Sequence, residues 1–161
     1  MVTARILIVD DDKAIRELLK DFFQGLGYEI TTAANGSEAL TMISQRDFDC
    51  IISDHVMPDM NGLELLEQLV KQGKKVPFLM VTGYPTIETA VEVMKRGGYD
   101  YITKPLQLED VRIKVERAIH TKGLEKSLKK LSGIAWAILI SIPIWLILGI
   151  ILGKIWRTFL P

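Results

Sequence analysis

The chain has 161 residues, 48% hydrophobic and 25% charged, which admits one domain of about 100–150 residues plus a short extension. Its zero net charge hides a segregation. Residues 1–120 carry 14 Lys/Arg against 19 Asp/Glu, while residues 121–161 carry 6 against 1, so an acidic body precedes a basic tail. A single cysteine, Cys50, excludes an internal disulfide and a metal site built of cysteines alone. The N-terminus enters a strand-like segment without an apolar signal stretch, so the body is expected to stay in the cytoplasm.

In chain order, ARILIV, EITTAA, CIIS, PFLMVT and YDYIT read as five strands, rich in apolar and β-favouring residues. CIIS and PFLMVT are nearly continuous apolar runs, the pattern of strands buried on both faces. Between them lie helical spacings of three and four: Ile15, Leu18, Leu19, Phe22 and Phe23; then Leu63, Leu66 and Leu69; then Ala90, Val93 and Met94. Gly27, Gly73 and Gly97/Gly98 follow helical runs as terminators, and Asn35-Gly36 and Asn61-Gly62 precede them as turn or cap signals. Five β-then-α units with short connections imply a doubly wound parallel sheet with helices on both faces. In such sheets the working site lies at the carboxyl ends of the strands.

The first strand ends in ILIVDDD, the third in IISD, the fourth in MVTG and the fifth in YITKP. Asp10, Asp11 and Asp54 therefore stand at two strand exits, Thr82 at a third and Lys104 at the last. If the first and third strands are neighbours, three carboxylates crowd together, which is unfavourable unless a cation joins them. Carboxylate and carbonyl oxygens suit Mg²⁺, an ion commonly shared with phosphate. A lysine and a hydroxyl facing the same spot add donors for phosphoryl oxygens, and one carboxylate is available as a nucleophile.

VDDD, SDHVMPDMNG and VTGYPTIETAVEVMKRGGYDYITKP, in this order and spacing, resemble the receiver domain of bacterial two-component response regulators. The likeness runs from Ile6 to about Ile119, and the last segment is closest in wording to receivers of the nitrogen-regulator class. The resemblance implies a flavodoxin-like sheet of order 2-1-3-4-5 and a Mg²⁺-dependent phosphoaspartate switch charged by a sensor histidine kinase. It implies Asp54 as phosphoacceptor, with Asp10, Asp11, Asp54 and the backbone carbonyl of Val56 as metal ligands. Lys104 would contact the phosphoryl group, its bond to Pro105 being cis, and Thr82 and Tyr101 would form a switch pair. Output is then expected through protein contacts at the fourth helix, fifth strand and fifth helix, not through turnover of external substrates.

Simpler roles suit other residues. Asp12 reads as a helix cap, Asp59 as a turn residue, His120 as an exposed helix position and Cys50 as a buried small hydrophobe. His55 is open between tuning phosphoryl lifetime and a structural role, and Tyr101 on its own chemistry is equally a packing residue. A haloacid-dehalogenase-type phosphatase would want DxDx[TV] where the chain has DDDKA, and a nucleotide binder a Gly-rich first turn, whereas no Gly occurs between Met1 and Gln24.

The tail begins with a basic helical linker, 121–133. Ile134 to Leu152 then gives 19 residues without a charge, about 28 Å as a helix at about 1.5 Å per residue, close to the bilayer core of about 30 Å. Trp136 and Trp156 stand near its ends, Lys129 and Lys130 before it, and Lys154 and Arg157 after it. Pro143 is tolerable within a membrane helix. The expectation is a transmembrane helix over 134–153 with a short tail, 154–161: a single-pass anchor in the cell inner membrane. Lys122, Lys126, Lys129 and Lys130 outnumber the basic residues beyond the span, which places the receiver on the cytoplasmic side. Gly149 and Gly153 form a GxxxG that would permit helix pairing, interrupted by Trp145. The partners expected are the kinase, membrane lipid and a protein target, with no nucleic acid, since no DNA-binding domain fits in the residues after the receiver. The alternatives are a phosphate-independent membrane scaffold and a sink for phosphoryl groups.

Overall fold

The computed structural model describes residues 3–123. Along the chain run β1 (Arg5–Val9), α1 (Lys13–Gly25), β2 (Glu29–Ala33), α2 (Gly36–Gln45) and β3 (Cys50–Asp54). They are followed by α3 (Gly62–Lys71), β4 (Phe78–Thr82), α4 (Ile87–Lys95) and β5 (Asp100–Thr103). A last helix, α5, covers residues 108–123. The expected 121–133 linker lies mostly, and the 134–153 span and 154–161 tail wholly, outside the described residues. Met1–Lys122 form one unit of the chain and Gly123–Pro161 another.

The strands form one parallel sheet of order β2-β1-β3-β4-β5, the order expected. Alternation along each strand divides its side chains between two cores. Leu7, Val9, Ile51, Phe78 and Met80 meet Ala39 and Ile43 of α2, Leu65, Leu66 and Leu69 of α3, and Val93 of α4. Ile6, Ile8, Cys50, Ile52, Leu79 and Val81 meet Leu19 and Phe23 of α1 and Val111, Val115 and Ala118 of α5. With both faces covered, β3 and β4 are buried at every position, which is why they read as unbroken apolar runs.

The helical stripes are narrower than their apolar patterns. In α1, Leu19 and Phe23 are buried but Leu18 is 46% exposed, and Met94 of α4 is 50% exposed. Successive residues lie about 100° apart on a helix, so when the sheet covers 19 and 23, position 18 sits at the rim. Local signals set the ends. Asp12 caps α1 through Ala14 N–H, as its position suggested, and Asn61 forms a capping box with Glu64 at the start of α3. Gly27, Gly73 and Gly97 have φ of +88°, +67° and +95° at the helix terminations.

Candidate functional site

Because β1 and β3 are neighbours, their exits lie side by side. Asp10 follows β1 and Asp54 closes β3, and an oxygen from each of Asp10, Asp11 and Asp54 falls within 4.8 Å of the others. Asp10 and Asp54 are buried, 2% and 7% exposed, whereas Asp11 is exposed. Lys104, just beyond β5, reaches across the top of the sheet. Its Nζ donates to Asp54 Oδ2 at 2.9 Å and to Asp10 Oδ2 at 3.3 Å. The remaining oxygens are also engaged: Asp10 Oδ1 accepts Asp12 N–H at 2.8 Å, and Asp54 Oδ1 accepts His55 N–H at 2.9 Å.

The electrostatics follow from burial. Desolvation raises the Asp10 carboxyl above the ordinary carboxylate value, and the Asp54 charge adds to this against the pull of Asp12 N–H and Lys104. For Lys104, burial alone would lower the ammonium. The hydrogen bond to Asp54 and the two carboxylate charges outweigh it, and the group stays protonated above its usual range. One ammonium against three carboxylates leaves two negative charges at the strand exits. An all-oxygen donor set with that charge fits a hard divalent cation such as Mg²⁺.

The other expected residues take up varied places. Thr82 closes β4, 1% exposed, and its Oγ1 accepts Tyr84 N–H at 3.1 Å. That hydroxyl makes no hydrogen bond to Asp54, Lys104 or Tyr101 among the described residues, while the Thr82 carbonyl accepts Lys104 N–H at 2.8 Å. Tyr101, on β5, is half-buried against the core shared with α2, α3 and α4, and Lys114 Nζ lies 5.9 Å from its ring centre. The Lys104–Pro105 peptide is cis. Val56, in the loop after β3, is 64% exposed. His55 is half-buried and contributes through its backbone, its N–H meeting both Asp54 Oδ1 and Val81 O. His120 is exposed, and Cys50 is fully buried, its thiol pushed up to about 12 by desolvation. Asp59 has φ +65°, the turn conformation its place before Asn61-Gly62 suggested.

Two residues of the site were not singled out from the sequence. Arg16 Nη1 donates to the carbonyls of Asp10 and Asp11 at 2.6 and 3.0 Å; its position five residues after Asp11 was the available signal. Gly62 begins α3 against the end of β3, where an added Cβ would stand 2.3 Å from Asp54 O and 2.7 Å from Met80 Sδ. Asn61-Gly62 marks this place as a cap, but the close approach shows only in three dimensions.

Carboxylates at the exits of two adjoining strands, met by a lysine from the far edge of the sheet, define an α/β domain able to hold a divalent cation beside a phosphoryl group. The model of the response regulator receiver domain family matches residues 6–116, and the chain belongs to that family. It is 34% identical over 127 residues to the regulatory protein AtoC of Escherichia coli (strain K12), covering 79% of this chain and 28% of that protein. It is 36% identical over 121 residues to the DNA-binding transcriptional regulator NtrC of Azospirillum brasilense, covering 75% of this chain and 25% of that one. The likeness to nitrogen-regulator-class receivers is thereby borne out, and the chain spans about a quarter of the length of these relatives.

Among solved structures, the CheY-like receiver domain protein of Methanospirillum hungatei JF-1 superimposes with a TM-score of 0.73 at 36% identity, covering 77% of this chain and 99% of that one. The chemotaxis response regulator CheY4 of Vibrio cholerae gives 0.69 at 34% identity, covering 73% and 99%.

Proposed function

We propose that this receiver is a Mg²⁺-dependent phosphoaspartate switch, charged on Asp54 by a sensor histidine kinase and held at a membrane by the segment Ile134–Leu152. The observation that carries the switch is the Lys104 ammonium bridging Asp10 and Asp54 at 3.3 and 2.9 Å inside the acidic cluster. Receiver domains of this class are phosphorylated by sensor histidine kinases, and the carboxylate of Asp54 is the nucleophile available here.

A carboxylate oxygen of Asp54 attacks the donor's phosphorus. The new P–O bond makes an acyl phosphate as the P–N bond of the phosphohistidine breaks, and the imidazole leaves with its electron pair. Asp10, Asp11, Asp54 and the Val56 carbonyl would hold Mg²⁺, which supplies positive charge to the phosphoryl oxygens. Lys104 meets the same charge, exchanging a carboxylate partner for a phosphoryl oxygen. Thr82, at the neighbouring exit, offers its hydroxyl in place of its present bond to Tyr84 N–H, and Tyr101 responds from β5. The added charge thereby biases α4, β5 and α5, and the output is a protein contact. The chain is the substrate of its own chemistry and turns over no external phosphoester.

The test is intact mass after incubating the full chain, in detergent micelles, with acetyl phosphate and Mg²⁺. One phosphoryl group should be gained, and none in EDTA or in Asp54→Ala. A gain that persists in Asp54→Ala would remove the acceptor role. No gain in the folded parent would leave the phosphate-independent scaffold as the better reading.

A further inference from the structure

Of the three carboxylates at the strand exits, two are aimed by bonds of their own. Asp10 is held by Asp12 N–H and Lys104, and Asp54 by His55 N–H and Lys104. The Asp11 carboxylate accepts no hydrogen bond among the described residues and is exposed. Its direction is set by its backbone alone. That backbone lies past the last ladder position of β1 (Val9) and before the first residue of α1 (Lys13), and Asp12 N–H on Asp10 Oδ1 at 2.8 Å ties down only the peptide plane that follows Asp11.

Arg16 holds the plane before Asp11 and adds a second bond to the plane after it. Its backbone N–H closes the first turn of α1 on Asp12 O at 3.1 Å, which fixes where the side chain starts. The same guanidinium nitrogen, Nη1, then donates to Asp10 O at 2.6 Å and Asp11 O at 3.0 Å. These two carbonyls belong to the peptide planes on either side of Asp11, so pinning both fixes the φ and ψ from which its side chain projects. Arg16 forms no ion pair among the described residues. A half-buried arginine spent on two carbonyls beside an acidic cluster, and not on a carboxylate, is serving the loop's geometry.

We propose that Arg16 is a positioning residue that holds Asp11 in place as a cation ligand. The inference rests on the Mg²⁺ reading above. Without the two bonds, the Asp10–Asp12 segment relaxes under carboxylate repulsion and Asp11 swings toward water. The cost appears as lost cation affinity, since residues that orient metal ligands typically change affinity about 10–100-fold when removed. A lysine at this position has ammonium hydrogens enough to reach both carbonyls but a shorter arm, so it restores the function in part. Methionine, of similar bulk and uncharged, does not.

The test uses the ¹⁵N-labelled full chain in detergent micelles, titrated with Mg²⁺ while amide shifts at the strand exits are followed. Arg16→Met should raise the Mg²⁺ Kd about tenfold, Arg16→Lys should fall between that and the parent, and in the Mg²⁺-free state only the Asp11 and Asp12 amides of Arg16→Met should gain motion. The idea is overturned if Arg16→Met binds Mg²⁺ like the parent, or binds it more weakly with Asp11 as ordered as before. Should Arg16→Met lose its fold, Arg16→Lys decides alone, parental affinity and parental order together counting against the proposal. A parent that binds no Mg²⁺ fails the cation reading itself, a result distinct from either.

Discussion

At the residue scale the site holds a conflict: Asp10 must be buried to meet Lys104 and Asp54, yet burial raises its pKa. Linkage sets the sign of the consequence. The folded value lies above the unfolded one, so the group's contribution to stability is complete below the ordinary value of 3.8 and is lost as pH rises through the raised value. At neutral pH the ionised Asp10 therefore costs stability. Asp10→Asn should raise the stability of the Mg²⁺-free protein at pH 7, by about 1 kcal/mol, the usual size of single-site effects. In saturating Mg²⁺ the order should reverse. Ligand present at about 100 times its Kd stabilises the folded state by about 2.7 kcal/mol, and on the Mg²⁺ reading proposed above the variant has lost one of the ion's ligands. Thermal melts with EDTA and with Mg²⁺ read both arms, and a variant less stable than the parent in EDTA would show that Asp10 is held for the fold alone. The carboxylates themselves were legible in the sequence because strand exits are where such sheets place their chemistry. The reach of Lys104 to Asp10, 94 positions earlier, became a distance only once β1, β3, β4 and β5 were set side by side.

At the element scale, strands were easier to read than helix faces. β3 and β4 are covered on both sides, so their apolar runs coincide with the elements to within a residue. β2, at the sheet edge with Glu29 exposed and Ile30 to Thr32 half-buried, declares itself less by hydrophobicity than by β-branched residues. Helix α2 showed its start through Asn35-Gly36 but no long apolar stripe, since Ala39 and Ile43 are buried while Leu40 and Met42 are only partly so. The least legible feature is how closely α3 approaches Asp54. Gly62 N–H donates to His55 O at 3.0 Å, and the space for a Cβ is filled by Asp54 O. Backbone cannot yield as a flexible side-chain end does. Gly62→Ala should therefore cost about 1–3 kcal/mol, as overpacking does, and slow Asp54 phosphorylation by displacing the acceptor. Gly25→Ala, where nothing stands within 4 Å of an added Cβ, should lose nothing and gain up to about 1 kcal/mol from helix propensity. Urea midpoints of the two variants compare them directly. Equal stability would mean that α3 can shift away from β3 at no cost.

At the scale of the whole molecule, the family match ends at residue 116 while the chain runs to 161. No helix among the described residues is long and apolar enough to cross a membrane, and Ile134–Leu152 lies beyond them. Composition is therefore the support for an anchor: 19 uncharged residues are apolar all round, which a helix on the surface of a soluble domain is not. A lysine near the centre of a membrane helix costs about 2.5–3.5 kcal/mol on the insertion scale. Leu146→Lys with Leu148→Lys should then exceed what the span gains and release the protein from carbonate-washed membranes, while the receiver stays folded and still accepts phosphate from acetyl phosphate. Leu146→Ala with Leu148→Ala should remain in the membrane. If the double-lysine protein stays in the pellet, or the parent is already soluble, the segment is buried against protein instead. The switch chemistry, which depends only on residues of the first unit, would stand unchanged.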